Sequence, residues 1–133
     1  MKLKIKVNLA NEGGESFMGE GLEELLRRIQ RTGSIHQAAG EMELSYAKAL
    51  KILNRLEENL PGPVLERSRG GRERGGTTLT GLGKRLLEEY GILRDRIGAY
   101  GVGRFAVFQL RIGGGEVGER RKTSPGSGSP PRG

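Results

Sequence analysis

Two serines, Ser34 and Ser45, each stand immediately before a run of residues with helical spacing, and together they force two short helices around a tight turn. Ser34-Ile35-His36-Gln37 has the capping-box pattern, in which a serine oxygen and a glutamine side chain satisfy amides at a helix start. The helix that follows runs through Ala38, Ala39 and Met42 and must be short, because Ser45 offers the next N-cap so soon. In "SYAKALKILNRLEENL", Ala49, Leu53, Leu56 and Leu60 fall on one inward face with Ile52 beside them. Lys48, Lys51 and Arg55 share another face. Where the two helices cross, the backbones approach closely, and Ala38 and Ala39 supply the small residues this needs. The turn carries Glu43 where glycine is frequent.

The flanking segments complete an architecture. Leu3, Ile5, Val7 and Leu9 alternate with Lys2, Lys4, Lys6 and Asn8, which predicts a half-buried N-terminal strand. Residues 11–21 read as a loop, and Leu22, Leu25, Leu26 and Ile29 predict an amphipathic helix ending near Gly33. "PGP" at Pro61 to Pro63 stops the helix that began at Ser45. Val64-Leu65 and Thr77-Thr78-Leu79 then flank "SRGGRERGG" as the two strands of a hairpin. Thr80 caps a long helix to about Tyr100, with Leu82, Leu86, Tyr90, Leu93 and Ile97 as its stripe; that stripe is either buried within its own domain or a dimer seam. Residues 101–112 are read as one further strand, with Ala106, Phe108, Leu110 and Ile112 on one side. Residues 113–133 form a basic Gly/Pro/Ser tail with nothing to bury, expected to be disordered, including Arg120, Arg121 and Lys122. The expected fold is mainly α with a small β component: a winged helix-turn-helix over residues 1–100 with a long C-terminal helix.

Charge points to the partner class. The chain carries a formal net charge of +7, which attracts polyanions. No apolar run is long enough to cross a membrane, the N-terminus lacks a signal-peptide block, and the basic faces lack the large apolar residues an interfacial helix inserts. The chain is therefore expected to be cytoplasmic and away from membranes. There are no cysteines, so disulfides, thiolate nucleophiles and cysteine zinc sites are excluded. His36, the single histidine, has no clustered acids nearby and is expected to be structural rather than a metal ligand. The neighbouring pairs Glu23/Glu24, Glu57/Glu58 and Glu88/Glu89 point apart on helices and are expected on solvated faces. Gly81, Gly83 and Lys84 lack the first glycine and the hydroxyl of a phosphate loop, and Gly101, Gly103 and Ala106 lie in the wrong context for a dinucleotide fingerprint. No catalytic residue, metal or cofactor is expected, and the chain is not expected to be an enzyme.

The remaining pattern suits duplex DNA. The exposed start of the second short helix, Ser45, Tyr46, Ala47 and Lys48, would enter a major groove, where base edges carry the distinguishing code. Lys51 and Arg55, further along, would meet phosphates. Ser34, at the start of the preceding helix, joins this set. Arg67, Arg69, Arg72 and Arg74 would let a glycine-rich hairpin follow the backbone or probe the minor groove, arginine's planar fork gripping phosphate through two hydrogen bonds.

The stretches "GSIHQAAGEMELSYAKALKILNRLEENL", "PVLERSRGGRERGGTTLT" and "GLGKRLLEEY" resemble the N-terminal DNA-binding domain of ModE-type molybdate-responsive transcription regulators, itself similar to that of LysR-type regulators. The resemblance spans roughly Leu22 to Ile97. It implies a homodimeric winged helix, the Ser45-Tyr46 helix lying in the groove and residues 69–76 forming the wing. The long helix and the N-terminal strand are the natural pairing surfaces. The resemblance does not extend to the family's molybdate-binding domains, so it carries no expectation of oxyanion sensing. A different class of function, a winged-helix protein-interaction module or an accessory partner of a full-length regulator, fits the same fold.

Overall fold

The leucines and isoleucine at helical spacing do form a helix, α1 (Glu20–Thr32), and Leu22, Leu25, Leu26 and Ile29 are all buried. Gly33 ends it in the left-handed conformation (φ 72°), its amide donating to Ile29 O at 2.7 Å. Next comes α2 (Ile35–Glu41), capped by Ser34, whose Oγ accepts from the Gln37 amide at 2.9 Å. Then α3 (Tyr46–Glu58) is capped by Ser45, whose Oγ accepts from the Lys48 amide at 3.0 Å. Both caps fall where the sequence put them. Ala38, Ala39 and Ala49 are fully buried where α2 and α3 meet. The turn between the two helices contains Glu43 at φ 59°, a left-handed conformation that a glycine would hold without strain.

The structure is a computed structural model and describes residues 1–68 and 76–113. It divides into two compact units, Lys6–Arg94 and Met1–Ile5 with the chain from Asp95 onward. In the first unit, β3 (Leu65–Arg67) and β4 (Thr77–Leu79) pair antiparallel, with Leu65 opposite Leu79 and Arg67 opposite Thr77. The Thr77 amide donates to Gly33 O at 2.9 Å, tying the hairpin to the end of α1. Thr80 caps α4 (Gly81–Phe108), its Oγ1 accepting from the Gly83 amide at 3.0 Å. Leu53, Leu56, Val64, Leu79, Leu87 and Tyr90 close the core beneath α1.

Four expectations are corrected. No ladder forms over Lys2–Asn8: β1 is only Leu9–Ala10, paired with β2 (Ser16–Met18) inside the segment read as loop. Alternation sets which side chains face inward, but a strand also needs a second backbone, and among the described residues Met1–Asn8 has none. Residues 101–112 are not a strand. There α4 continues to Phe108 and ends in a π-helical turn, Gln109–Gly113. A helix satisfies its own amides where no partner strand exists, and Phe105 and Phe108 then meet one turn apart with their rings 6.3 Å from centroid to centroid. The α4 stripe splits: Tyr90 is buried with Leu82 and Leu86 partly so, whereas Leu93 and Ile97 are exposed and Leu87 takes the core position instead. Two carboxylates thought solvated are not. Glu23 is only 6% exposed and pairs with Arg27 at 3.1 Å and with Arg94. Glu57 Oε2 accepts from the Val64 amide (2.8 Å) and the Leu65 amide (3.2 Å).

In the second unit, Ile5 packs against α4 at Gly101, where an added Cβ would lie 2.6 Å from Ile5 Cδ1. Tyr100, Val102, Phe108, Leu110 and Ile112 remain exposed there.

Candidate nucleic-acid interface

Burial of Ala49, Leu53 and Leu56 turns the opposite side of α3 outward, and Tyr46, Ala47, Lys48, Lys51, Asn54 and Arg55 are all exposed on it. The side chains of Lys48, Lys51 and Arg55 form no ion pair among the described residues, and neither does that of Arg67 at the end of β3. Several acids of this unit are engaged elsewhere. Glu41 holds Arg28 (2.9 Å) and Arg31 across the gap between α1 and α2, and hydrogen bonds from those guanidiniums, Arg28 first, keep its carboxyl below the usual range. Arg28 is further held by Glu24, through Nε at 2.9 Å. Glu57 is occupied by the hairpin amides. Lys48, Lys51 and Arg55 on α3 thus face solvent without an ion-pair partner among the described residues.

Two concavities border α3. One, of about 670 Å³, lies between the start of α2, Tyr46 and the base of the hairpin, so Ser34, Tyr46 and Arg67 converge on it with Gly76 and Thr77. The other, of about 310 Å³, sets Lys48, Lys51 and Arg55 against Phe17, Met18, Leu22 and Ile52. Of the sequence-derived candidates, Tyr46 is 45% exposed and projects into the first groove, whereas the hydroxyls of Ser34 and Ser45 are committed as caps. Arg69, Arg72 and Arg74 lie outside the described residues. No group of three or more histidines and carboxylates that could hold a metal occurs among the described residues. Sequence reasoning passed over Asn54, which lies one turn beyond Lys51 on the exposed face, because only cations were sought there. His36 was treated as structural and Gln37 as a cap. Both line the first groove, and the His36 ring sits 5.6 Å from that of Tyr46, centroid to centroid, tilted 33°.

Comparison with known families shows what this domain is similar to. The model for "Bacterial regulatory helix-turn-helix protein, lysR family" matches residues 23–84, which take in most of α1, all of α2 and α3 and both hairpin strands. Residues 23–84 are thus similar to a LysR-type helix-turn-helix domain. Among characterised proteins, this domain is similar to "Transcriptional regulator ModE" of Haemophilus influenzae, 45% identical over 69 residues, covering 52% of this chain and 27% of that protein. "DNA-binding transcriptional dual regulator ModE" of Escherichia coli K12 is 36% identical over 69 residues, covering 52% and 26%. "Molybdenum-pterin-binding protein MopB" of Rhodobacter capsulatus is 40% identical over 76 residues, covering 57% and 28%. The chain thus matches about a quarter of the length of these relatives. No helix of the described residues is long and apolar enough to cross a membrane.

Proposed function

We propose that this chain is a sequence-specific double-stranded DNA-binding transcription regulator of the ModE kind. The observation that carries the reading is the exposed face of α3, where Lys48, Lys51 and Arg55 lack an ion-pair partner among the described residues, beside a groove that Tyr46 shares with the base of an arginine-rich hairpin. Its similarity to transcriptional regulators of the ModE kind supports the same choice. On this reading α3 lies in a major groove, Tyr46, Ala47 and Lys48 read base edges, and Lys51 and Arg55 hold phosphates. Ser34 and Ser45 act by fixing the two helix starts at the DNA surface. Arg67, Arg69, Arg72 and Arg74 belong to a wing on the backbone or in the minor groove.

The reading includes a homodimer, since one short helix makes few base contacts and such domains pair to read two half-sites. It is supported by the exposed apolar side chains of the second unit, Tyr100, Val102, Phe108, Leu110 and Ile112. Covering them with the same surface of a second copy removes them from water. The same side chains support a second reading, an accessory that pairs with a longer regulator through a matching helix.

A salt titration of binding to duplex DNA tests the first reading. Changing Lys51 or Arg55 to alanine should lower the slope of log K against log salt by about one unit each and weaken binding to all sequences alike. Changing Tyr46 or Lys48 should instead relax discrimination among sequences. An unchanged slope in every variant sinks the phosphate assignments. Sedimentation of the purified chain tests the dimer, and Leu110→Glu with Val102→Glu should shift it toward monomer. A chain that binds no duplex yet still pairs with a longer regulator favours the accessory reading.

A further inference from the structure

The capping box at the start of α2 is only half used. Ser34 Oγ accepts from the Gln37 amide, but the Ser34 amide donates to Thr32 Oγ1 at 3.2 Å instead of to the glutamine side chain. Thr32 Oγ1 in turn donates to Arg28 O at 2.8 Å, so this threonine does the reciprocal work and holds the junction of α1 and α2. The side-chain amide of Gln37 is left exposed and without a hydrogen bond among the described residues. His36 is likewise exposed and contributes no cap; its ring lies against that of Tyr46. Both side chains line the groove of about 670 Å³ together with Arg67, Gly76 and Thr77.

The chemistry of this groove is one-sided. Its walls offer the two N–H bonds of an amide, the fork of a guanidinium, a phenol hydroxyl and an imidazole N–H, and none of the described residues lining it carries a carboxylate. A surface rich in donors, with a cation and no acid among its described residues, suits an anionic ligand that accepts hydrogen bonds on several oxygens. We propose that this groove clasps one phosphodiester of the DNA backbone, with Gln37 and Arg67 donating to its two non-bridging oxygens. His36 contributes a third donor, and its ring holds the Tyr46 ring at the mouth of the groove, next to the base edges. The proposal rests on the DNA-binding reading and adds to it a contact from α2 that links the hairpin to the reading helix through a single phosphate.

The test uses the full chain and a short duplex selected with it from a random-sequence pool, in which phosphates are replaced one at a time by uncharged methylphosphonate. One position per half-site should weaken wild-type binding by about tenfold, the size of one charge-assisted hydrogen bond. Gln37→Ala and His36→Ala should each weaken binding several-fold and lose most of their sensitivity at that position while keeping it elsewhere. Arg67→Ala should do the same and lower the salt slope by about one unit. Both α2 side chains are exposed, so thermal midpoints should match wild type. Wild-type affinity in both α2 variants overturns the proposal, as does a uniform loss with the methylphosphonate profile unchanged, because neither side chain then touches a phosphate. A wild-type chain that binds no duplex overturns the DNA reading itself, and the clasp with it.

Discussion

Replacing Gly83 with alanine pits two effects of opposite sign against each other within a single helix. Alanine is favoured over glycine in a helix interior by about 1 kcal/mol, so on propensity alone the change stabilises. A Cβ at Gly83, however, would stand within 3.0 Å of the Val64 carbonyl oxygen, and 3.3 Å from both the Val64 carbonyl carbon and Leu79 Cγ. That carbonyl cannot retreat cheaply. It accepts from the Thr80 amide at 2.9 Å, the Val64 amide is held by Glu57 at 2.8 Å, and the preceding Pro63 carbonyl accepts from Thr80 Oγ1 at 2.7 Å. Forced overpacking of this kind costs about 1–3 kcal/mol, and losing the Thr80 amide bond adds about 1 kcal/mol. The net expectation is a destabilisation of about 1–3 kcal/mol, read by urea denaturation followed by far-UV circular dichroism, with Cm falling and m unchanged. Gly98 supplies the control on the same helix: nothing lies within 4 Å of its would-be Cβ, so Gly98→Ala should stabilise by up to about 1 kcal/mol. If Gly83→Ala stabilises as much as Gly98→Ala does, the close approach of α4 to the hairpin root is wrong.

Glu43→Gly relieves a left-handed conformation costing about 1–2 kcal/mol and gives back part of that as glycine's extra unfolded freedom, so the thermal midpoint should rise by a few degrees for about 0.5–1 kcal/mol. A fall would show that the glutamate side chain contributes more than its backbone costs. Glu57→Ala strands the Val64 and Leu65 amides and should cost about 2–3 kcal/mol in the same denaturation assay, whereas Glu57→Gln, whose oxygen still accepts, should recover more than half. Burial, and then the carboxylates Glu20 and Glu23, raise the Tyr90 phenol above its ordinary value of 10.0. Its neutral form therefore adds stability that is fully present below the unfolded value and is lost as pH rises through the folded one. In an absorbance titration the component lost in Tyr90→Phe should ionise above the ordinary value of 10.0, and Tyr90→Phe should flatten the alkaline loss of stability; a component that ionises at or below that value refutes this.

Features written in local chemistry were readable in the sequence. Ser34, Ser45 and Thr80 announce helix starts through their own hydroxyls, and the α1 stripe announces its buried face, because both depend on residues within a turn of one another. Features that depend on distant backbone were not. The segment from Lys2 to Asn8 has the alternation of a strand, but pairing is a property of two segments, and among the described residues it is held instead by side-chain packing and a hydrogen bond from the Tyr90 hydroxyl to Val7 O at 2.7 Å. Residues 101–112 have apolar positions that satisfy period two and also bring Phe105 and Phe108 together at period three, and the absence of a partner strand decides for helix. Glu23 and Glu57 look like any surface glutamate until α4 brings Arg94 to one and the hairpin brings two amides to the other. The same limit applied to the candidate interface: the cations of α3 could be listed in advance, whereas the freedom of Gln37 could be seen only once Thr32 had taken its place.

Glu57 has a wider consequence. It sits on α3 and grips the first amides of the hairpin, while the Thr77 amide anchors the other strand to Gly33 at the end of α1. On the DNA-binding reading, the gap between the recognition helix and the two base strands of the hairpin is therefore a fixed gauge rather than an adjustable grip. A duplex whose grooves do not match that gauge must bend or change width to fit, and stiff sequences pay more for this than pliable ones. Base pairs that no side chain touches would then still influence where the protein settles along a genome.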